Sequence, residues 1–396
     1  MAAAGAGDGL TNPSDADPLG DLVWRTTADG TPTLWSEAFG EAFHSAGGAR
    51  REAERKFVAP AQLERFPPGH CLQVLDLCVG LGYNSAALLE AAQERGLAIR
   101  WWGLELDPRP LQRALAAPAF RRCWRPSTLE ALEQLGACGH WRLQAGAHAA
   151  EKDRGWGQPS GTAPPPSSGQ WWLGDARSQL ASVLEEARGR CDLVLHDAFS
   201  PGHCPQLWSQ EFLGQLARAL QPQGRLLTYF SAAAVRWSLR QGGLELASLA
   251  PSASGRPGAG PDPGPGALPP AAARADAGPR GRPRAAEGAG TGATHSATHA
   301  AQAWSQGTVA SPQALPPDPT GLLRPLSPME EAHLSSRAAE PYRDPTGRAE
   351  AAAILAARQR AQASHPGAST SAWRRHWGLD RRPIAPPTPA GPRDGR

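Results

Sequence analysis

Four acidic residues each stand at or near the end of a short apolar run, where the sequence predicts a buried strand. They are Asp76, Glu105, Asp175 and Asp197. Ligands of open α/β sheets bind outside the carboxyl ends of the strands, so these carboxylates are expected at one ligand-binding edge. There a carboxylate can accept hydrogen bonds from ribose hydroxyls, from a purine amino group, or from a reacting amine. The pattern favours a site for a nucleoside cofactor.

The stretch C-L-Q-V-L-D-L-C-V-G-L-G-Y-N-S-A-A, residues 71–87, predicts a strand, a glycine turn and a helix. Gly80 and Gly82 permit the turn, and the backbone N–H groups at the helix start would face a cavity. A dinucleotide site would need a third glycine where Ser85 stands. The order acid (Asp76), small residue, Gly, x, Gly fits better the nucleoside loop of S-adenosylmethionine (SAM)-dependent methyltransferases. Glycines that serve packing alone are the alternative.

The next two acids suit the other parts of such a cofactor. Glu105 ends the predicted strand I-R-W-W-G-L-E, 23 residues beyond Gly82. An acid roughly 20 residues after the glycine loop is placed to bind ribose hydroxyls, although Glu105 could also be a solvated strand end. Asp175 follows W-W-L-G, at the end of the third predicted strand. That position is the usual one for a carboxylate that binds the adenine amino group.

The fourth acid opens the turn Asp197-Ala-Phe-Ser-Pro, which resembles the acid–x–aromatic–x–Pro form of amine-methylating sites. An alkylammonium has no lone pair, so a carboxylate that accepts or relays its proton would activate it, while backbone carbonyls fix its other hydrogens. Phe199 and Trp208 could stack on a splayed-out base, with Pro201 beside them. We therefore predict Asp197 as the catalytic residue; a cap on the following turn is the bland alternative.

Composition limits the class of protein. The chain has 396 residues, 40% of them hydrophobic, with a net charge of +3 that permits a nucleic-acid partner without requiring one. Arginine supplies 38 of the 40 basic side chains, and the two lysines are Lys56 and Lys152. Six scattered cysteines form no C-x-x-C pair, so no metal site and a reducing cytoplasm are expected. No apolar run is long enough for a membrane span, and the N-terminus does not resemble a signal peptide.

The chain divides by composition and periodicity. Between residues 251 and 300, 33 of 50 residues are Gly, Pro or Ala, too few apolar groups to bury against the ordering entropy. Predicted segments are a disordered N-terminus (1–18), an α/β domain (19–250) with a loop insertion (151–170), a low-complexity insertion (251–302), a last strand (303–311), a helical C-terminal extension (312–380) and a disordered tail (381–396).

Several motifs together resemble the methyltransferase domain of the bifunctional tRNA 5-methylaminomethyl-2-thiouridine biosynthesis protein, and more closely its standalone, cyanobacterial-type relatives. They are D-G-T-P-T-L-W-S-E-A-F-G-E-A-F-H-S, L-D-L-C-V-G-L-G-Y-N, G-L-E-L-D, L-G-D-A and H-D-A-F-S-P. The resemblance covers roughly residues 20–250 and 303–311. It implies a Rossmann-like class I SAM-dependent methyltransferase fold, with a seven-stranded, mostly parallel sheet and helices on both faces.

The resemblance also implies a reaction. The expected enzyme uses SAM to convert the 5-aminomethyl group of the wobble (thio)uridine in tRNA to 5-methylaminomethyl, with the tRNA anticodon loop as partner. Asn84 would join Gly80 and Gly82 in the cofactor loop, Glu105 would bind ribose, and Asp197 would fall at the catalytic position. The family's flavin-dependent oxidase half is not expected here. Cys78 stands where the family usually has glycine; its side chain is expected to require negative φ and to narrow the pocket.

Three alternatives stay open at this point. The chain could methylate a small amine or another RNA position with SAM. It could transfer an aminopropyl group from decarboxylated SAM, although no additional acids occur within the D-A-F-S-P turn. It could also be a non-catalytic nucleoside- or RNA-binding module, in which case it would fail to bind SAM.

Overall fold

The structure is a computed structural model that describes residues 20–144, 166–250 and 306–379. Its strands are β1 Leu22–Thr26, β2 Pro32–Ser36, β3 Glu41–Ala42, β4 Cys71–Leu77, β5 Ala98–Glu105, β6 His140–Leu143, β7 Ser167–Leu173, β8 Cys191–His196, β9 Leu220–Thr228, β10 Glu245–Leu249, β11 Thr308–Ser311 and β12 Leu323–Pro325. In the described part of the chain, nine strands form one sheet in the order β12-β10-β11-β9-β8-β4-β5-β7-β6, and β1-β2-β3 form a small separate sheet.

Helices connect the strands. They are α1 Ala49–Ala53, α2 Ala59–Ala61, α3 Tyr83–Glu94, α4 Arg109–Ala116, α5 Pro118–Arg121, α6 Pro126–Cys138, α7 Ala176–Ala187, α8 Gln210–Ala217, α9 Ala233–Gln241, α10 Pro328–Leu334, α11 Ala351–Ser364 and α12 Thr370–His376. A π-helical turn, Glu54–Val58, joins α1 to α2, and a 3₁₀ turn, Pro205–Trp208, precedes α8.

The centre of the large sheet is parallel and buried on both faces. Strands β7, β5, β4, β8 and β9 pair in parallel, and all six residues of β8 are buried. Alternate residues of β4 belong to different cores: Val74 packs with α3 and α6 on one face, whereas Leu75 packs with α7, α8 and α9 on the other. Such near-continuous apolar strands are typical of parallel sheets covered by helices. The predicted class I fold is confirmed.

Strand number and some boundaries differ from the sequence prediction. The described residues contain nine strands in this sheet instead of seven, because β6 and β12 add antiparallel edges. The predicted loop 151–170 already becomes strand β7 at Ser167, where pairing with β5 and β6 outweighs the loop-like Ser-Ser-Gly composition. The predicted last strand does pair with β10, and it lies between β10 and β9.

The C-terminal region completes the large sheet. Helix α10 starts at the predicted capping box, in which the side chains of Ser327 and Glu330 each accept a hydrogen bond from the backbone N–H of the other residue. Glu330 also forms a buried ion pair with Arg236 of α9 at 3.0 Å. The predicted helical extension 312–380 therefore contains α10–α12 together with a sheet strand, β12. The predictions for residues 1–18, 251–302 and 381–396 lie outside the described residues.

Candidate functional site

Backbone hydrogen bonds join the carboxyl ends of four neighbouring strands just where the predicted acids lie. The Cys78 N–H, after β4, donates to the Leu104 carbonyl in β5, and the Gly174 N–H, after β7, donates to the Glu105 carbonyl, both at 2.8 Å. The Asp197 N–H, after β8, donates to the Leu77 carbonyl at 3.4 Å. Because these ends are linked in register, the glycine loop and the acids after β5, β7 and β8 share one edge of the sheet.

The glycine loop has left-handed backbone conformations at three alternate positions, 78, 80 and 82. Gly80 and Gly82 have φ of 56° and 87°, and Cys78 has φ of 61°. The expectation that Cys78 requires negative φ is therefore wrong: the loop holds this non-glycine residue in the left-handed region, at a cost of roughly 1–2 kcal/mol. Gly82 is the N-cap residue of α3. A side chain at Gly80 would meet the ring of Phe43 at 3.1 Å, so glycine is required there.

Asp76 does not line this edge. Its side chain has no exposed surface, and its carboxylate accepts hydrogen bonds from the Ser85 hydroxyl at 2.6 Å and the Trp101 indole at 3.3 Å. Burial raises its pKa to about 6 despite these bonds. Since α3 covers this face of β4, the prediction that Asp76 contacts the cofactor is replaced by a supporting role: Asp76 ties the start of α3 to the sheet beneath the glycine loop.

Glu105 occupies the position predicted for ribose binding. Its carboxylate accepts hydrogen bonds from the Gly80 N–H at 2.8 Å and the Asp107 N–H at 2.9 Å. Burial raises its pKa to about 7, although these backbone bonds favour the charged form. Beside it, Leu106 and Leu173 leave 43% and 44% of their surface exposed. Sequence reasoning missed these two leucines, although apolar residues next to strand-end acids are a readable signal for a purine ring.

Asp175 is engaged by protein groups. It is the N-cap of α7 and accepts a hydrogen bond from the Arg177 N–H at 2.9 Å. The Arg177 guanidinium also pairs with its carboxylate at 2.6 Å and reaches the buried carboxylate of Asp344 at 2.8 Å. The acid predicted for the adenine amino group is thus held by an arginine that the C-terminal region anchors. Sequence separation of 167 residues hid this contact.

The turn after β8 is held residue by residue. Each of the four residues 197–200 forms a hydrogen bond with a side chain from another part of the fold. The Asn84 amide donates to the Asp197 carboxylate at 2.6 Å, and the Tyr229 hydroxyl donates to the Ala198 carbonyl at 3.0 Å. The Trp208 indole donates to the Phe199 carbonyl at 2.7 Å, and the Ser200 N–H and hydroxyl both donate to Glu41 at 2.9 Å. We call residues 197–200 the acceptor loop.

These contacts bear on the predicted roles of two residues. Trp208 is fully buried, so it cannot stack on a base, and it holds the acceptor loop instead. Asn84, predicted in the cofactor loop, is also buried and directs its amide to Asp197. The carbonyls of Ala198 and Phe199 also accept bonds from protein side chains. An indole suits both stacking and a buried hydrogen bond, which is why sequence alone assigned Trp208 to a base; the cofactor-loop role of Asn84 stays a prediction.

The remaining predicted acceptor-side residues stay at the loop. Phe199 is half-buried and stacks on Phe39 with ring centroids 4.7 Å apart, while Phe43 meets its edge at 4.9 Å. Pro201 is buried. Glu41 is a functional candidate that sequence reasoning missed: it is fully buried, and one of its carboxylate oxygens has no hydrogen-bond partner among the described residues. Burial raises its pKa to about 7.

Comparison with known proteins agrees with this edge. A family model described as S-adenosyl-L-methionine-dependent methyltransferase matches residues 168–258, which include most of β7, all of β8 and the acceptor loop. The solved structure of MNMC2 from Aquifex aeolicus superposes on this chain with a TM-score of 0.56 at 24% identity, covering 89% of this chain and 87% of that one. That likeness shows a shared fold.

Curated relatives of the chain are larger proteins. It is 29% identical over 229 residues to the tRNA 5-methylaminomethyl-2-thiouridine biosynthesis bifunctional protein MnmC of Acidovorax sp. (strain JS42), covering 55% of this chain and 32% of the relative. The protein of the same name from Azoarcus sp. (strain BH72) is 29% identical over 222 residues, with the same coverage. The match thus spans about a third of the length of these relatives.

The carboxyl edge of the sheet around Glu105 fits SAM chemically. Glu105 can accept hydrogen bonds from ribose hydroxyls, and the exposed faces of Leu106 and Leu173 can cover a purine ring. The glycine loop leaves its backbone close to the same edge. Carboxylates near the reacting end also suit a cationic sulfonium. In the described part of the chain, no group of three or more His, Cys, Asp or Glu side chains could hold a metal ion, and no helix there is long and apolar enough to cross a membrane.

Asp197 has the electrostatics of a proton acceptor at this edge. It is half-buried, and the apolar surroundings raise its pKa to about 8. The negative charge of Glu52 acts in the same direction, whereas the Asn84 hydrogen bond and the Lys56 charge oppose it. A carboxylate with this pKa is a much stronger base than an ordinary aspartate, although it remains a weaker base than an alkyl amine, whose ammonium has a pKa of about 10.

Proposed function

We propose that this methyltransferase transfers the methyl group of SAM to the primary amine of a 5-aminomethyl group on the wobble uridine of tRNA, giving 5-methylaminomethyl. The observation that carries the proposal is the Asp197 carboxylate, fixed by Asn84 at 2.6 Å beside the glycine loop. The names of the relatives from Acidovorax and Azoarcus, which act in tRNA 5-methylaminomethyl-2-thiouridine biosynthesis, supply the substrate. We place the reaction in the cytoplasm.

The chain's part in the chemistry is to present a neutral amine in line with the methyl group. SAM supplies, when bound, an electrophilic methyl group on a sulfonium. Asp197 accepts the proton that the ammonium must lose, and its raised pKa of about 8 makes this transfer less uphill than transfer to an ordinary aspartate. We assign the orientation of the amine chiefly to this carboxylate, because the Ala198 and Phe199 carbonyls each already accept one bond, from Tyr229 and Trp208. Holding nitrogen at near-attack distance supplies most of the acceleration.

The nucleic-acid part of the proposal rests on aromatic side chains. Phe199, with Phe39 and Phe43 packed around it, keeps part of its ring accessible at the acceptor loop. A uridine splayed out of the anticodon loop could stack on that ring while its 5-substituent reaches Asp197. We therefore keep Phe199 as the substrate-stacking residue, with Pro201 shaping the loop behind it.

The aminopropyl-transfer alternative is less favoured. It needs further acids free to bind a polyamine, and the fold does bring Glu41 and Glu52 close to the acceptor loop. Neither is open to a polyamine, however: Glu41 is fully buried and accepts two hydrogen bonds from Ser200 on one of its oxygens, and Glu52 pairs with Lys56 at 2.5 Å. The arrangement favours one amine held by one carboxylate.

One experiment separates the candidates. Purified protein is incubated with labelled SAM and either tRNA that carries unmethylated 5-aminomethyluridine or a small polyamine, and nucleosides are analysed by mass spectrometry. We expect label only in the wobble nucleoside, and none with the Asp197→Ala variant. Label in the polyamine or at another RNA position would contradict the proposed substrate. Absence of SAM binding by calorimetry would favour a non-catalytic RNA-binding module.

A further inference from the structure

Lys56 is the single lysine of the described residues, in a chain where arginine supplies 38 of 40 basic side chains. It lies on the π-helical turn Glu54–Val58 between α1 and α2. Such turns occur mostly as single insertions in helices and often at functional sites. The Lys56 side chain is only 11% exposed, and its ammonium lies 5.6 Å from the centroid of the Tyr229 ring. A cation placed in this way faces the interior.

Its partner is a buried carboxylate with no spare oxygen. Glu52 accepts the Lys56 ammonium on one oxygen at 2.5 Å and the Ser45 N–H on the other at 2.8 Å. Burial favours the neutral acid, yet the charge of Lys56 and these hydrogen bonds keep the pKa of Glu52 below its ordinary value. Since one oxygen is already taken, the site suits the compact point charge of lysine better than the two-pronged guanidinium of arginine.

The pair adjoins the acceptor loop through Tyr229. The ring that lies below the Lys56 ammonium belongs to the same side chain whose hydroxyl binds the Ala198 carbonyl. The charges of Glu52 and Lys56 both act on the carboxylate of Asp197, and that of Glu52 acts more strongly. The Lys56 end of the pair thus lies over the ring that holds the acceptor loop, and the charge of Glu52 has the larger effect on the proposed proton acceptor.

We propose that Glu52 and Lys56 are positioning residues of the acceptor site: Lys56, seated over the Tyr229 ring that holds the acceptor loop, keeps the buried Glu52 charged, and the negative charge of Glu52 favours transfer of the amine proton to Asp197. This role rests on the proposed amine methylation, because only a proton-accepting Asp197 benefits from a neighbouring negative charge. Neither residue contacts the reacting atoms.

Other groups also face Asp197. The carboxylate of Asp76 on β4 also raises the pKa of Asp197. Asn84 on α3 donates a hydrogen bond to Asp197. The Cys78 thiol and the Tyr229 phenol, whose pKa values burial raises well above their ordinary range, stay neutral near neutrality. The test therefore changes the charges of Glu52 and Lys56 and leaves Asp76, which ties α3 to the sheet, in place.

The test compares pH profiles of methyl transfer. Glu52→Gln keeps the shape and removes the negative charge, so the acid limb of kcat/KM is expected to move down by about one pH unit. Glu52→Gln combined with Lys56→Met removes both charges, and the acid limb of this double variant should lie between those of the wild-type protein and Glu52→Gln. The matched control is Glu54→Gln, which breaks the exposed i,i+4 pair with Arg50 on the same turn and should leave the limb in place.

A second readout needs no substrate. In protein labelled with ¹³C at the aspartate carboxyl carbon, the resonance lost in Asp197→Asn identifies residue 197, and its titration should move down in Glu52→Gln as the limb does. A shift of this titration without tRNA methylation would overturn the proposed function and leave the ion-pair role intact. Folded Glu52→Gln protein with the wild-type titration, or an equal shift in Glu54→Gln, would overturn the ion-pair role.

Discussion

The acceptor loop and the cofactor edge lie side by side at the carboxyl ends of the parallel strands, yet they are held in different ways. Each residue of the acceptor loop is bound by a side chain from another part of the fold, namely Asn84, Tyr229, Trp208 and Glu41. At the cofactor edge, the described residues bind Glu105 through backbone N–H groups, and Leu106 and Leu173 remain exposed; Asp175, which the Arg177 side chain holds, is the exception.

The difference follows from the tasks of the two regions. A group that must accept a proton within a fixed angle gains from side chains that lock it before substrate arrives. A cofactor edge must release its ligand after every turnover, so exposed apolar surface and adaptable carboxylates suffice. Changes at the acceptor loop should therefore reduce the rate of methyl transfer, whereas changes at the cofactor edge should reduce affinity for SAM.

The largest effect is expected at the acceptor loop. Asp197→Asn keeps the shape of the side chain and removes the proton acceptor, so single-turnover methyl transfer to tRNA should fall by about 10²–10⁴-fold. SAM affinity, measured by calorimetry, should stay within about tenfold, or ~1.4 kcal/mol. Normal turnover in this variant would remove Asp197 from the chemistry.

The reverse pattern is expected at the cofactor edge. Glu105→Gln loses charge-assisted bonds to ribose, each worth about 1.5–3 kcal/mol, so the Kd for SAM should rise by roughly 10–100-fold. At saturating SAM the single-turnover rate should stay within about threefold. Glu37→Gln, an exposed change on the small sheet, serves as the control. An unchanged Kd in Glu105→Gln would place the ribose elsewhere.

The stability of the fold should fall with rising pH, because this edge of the sheet holds carboxyl groups whose pKa values are raised in the folded protein. The pKa values of Glu41 and Glu105 are about 7 and that of Asp197 is about 8 in the folded protein, against roughly 4 when unfolded. The folded state binds more protons than the unfolded one up to these values, so unfolding becomes easier as pH rises through them.

The cleanest window is pH 6.5 to 8. Below it, His44, His196 and His333, whose burial lowers each pKa to about 4, act in the opposite direction. Across the window, the free energy of unfolding from urea titration should drop by on the order of 1–2 kcal/mol. The drop should be smaller in Asp197→Asn. A slope that is flat, or equal in both proteins, would show that Asp197 titrates normally.

The smallest effect is expected where the C-terminal region meets the cofactor edge. Asp344 is buried and accepts hydrogen bonds from Arg177 and from the backbone of Arg348 and Ala349. Asp344→Asn should loosen Arg177 and thereby Asp175, raising the Kd for SAM by about threefold. Asp318→Asn, in a self-contained turn of the same region, is the matched control. An equal change in both variants would argue against a link to Asp175.

The sequence predicted what depends on local pattern. Apolar runs located the parallel strands, and the acids at their ends could be assigned to one edge because that is where strand-end residues of a parallel sheet meet. Asp197 and Glu105 fall where they were predicted. Asp76 does not, because whether a strand residue faces a helix or the edge depends on packing one residue at a time.

What could not be predicted comes from contacts between distant segments. Glu41 and Glu52 reach the acceptor loop from residues more than 140 positions away, and no motif marks them. Trp208 was assigned to a base because an indole suits stacking as well as it suits a buried hydrogen bond. The left-handed backbone of Cys78 has no signal in residue type at all, since cysteine rarely adopts it.

The most direct test measures SAM binding and single-turnover methylation of 5-aminomethyluridine in tRNA on the same Asp197→Asn preparation. The account predicts near-normal SAM affinity together with a loss of methyl transfer of at least about 100-fold. If methyl transfer instead declined only in proportion to weaker SAM binding, Asp197 would belong to the cofactor edge, and the division between a locked acceptor loop and an adaptable cofactor edge would be wrong.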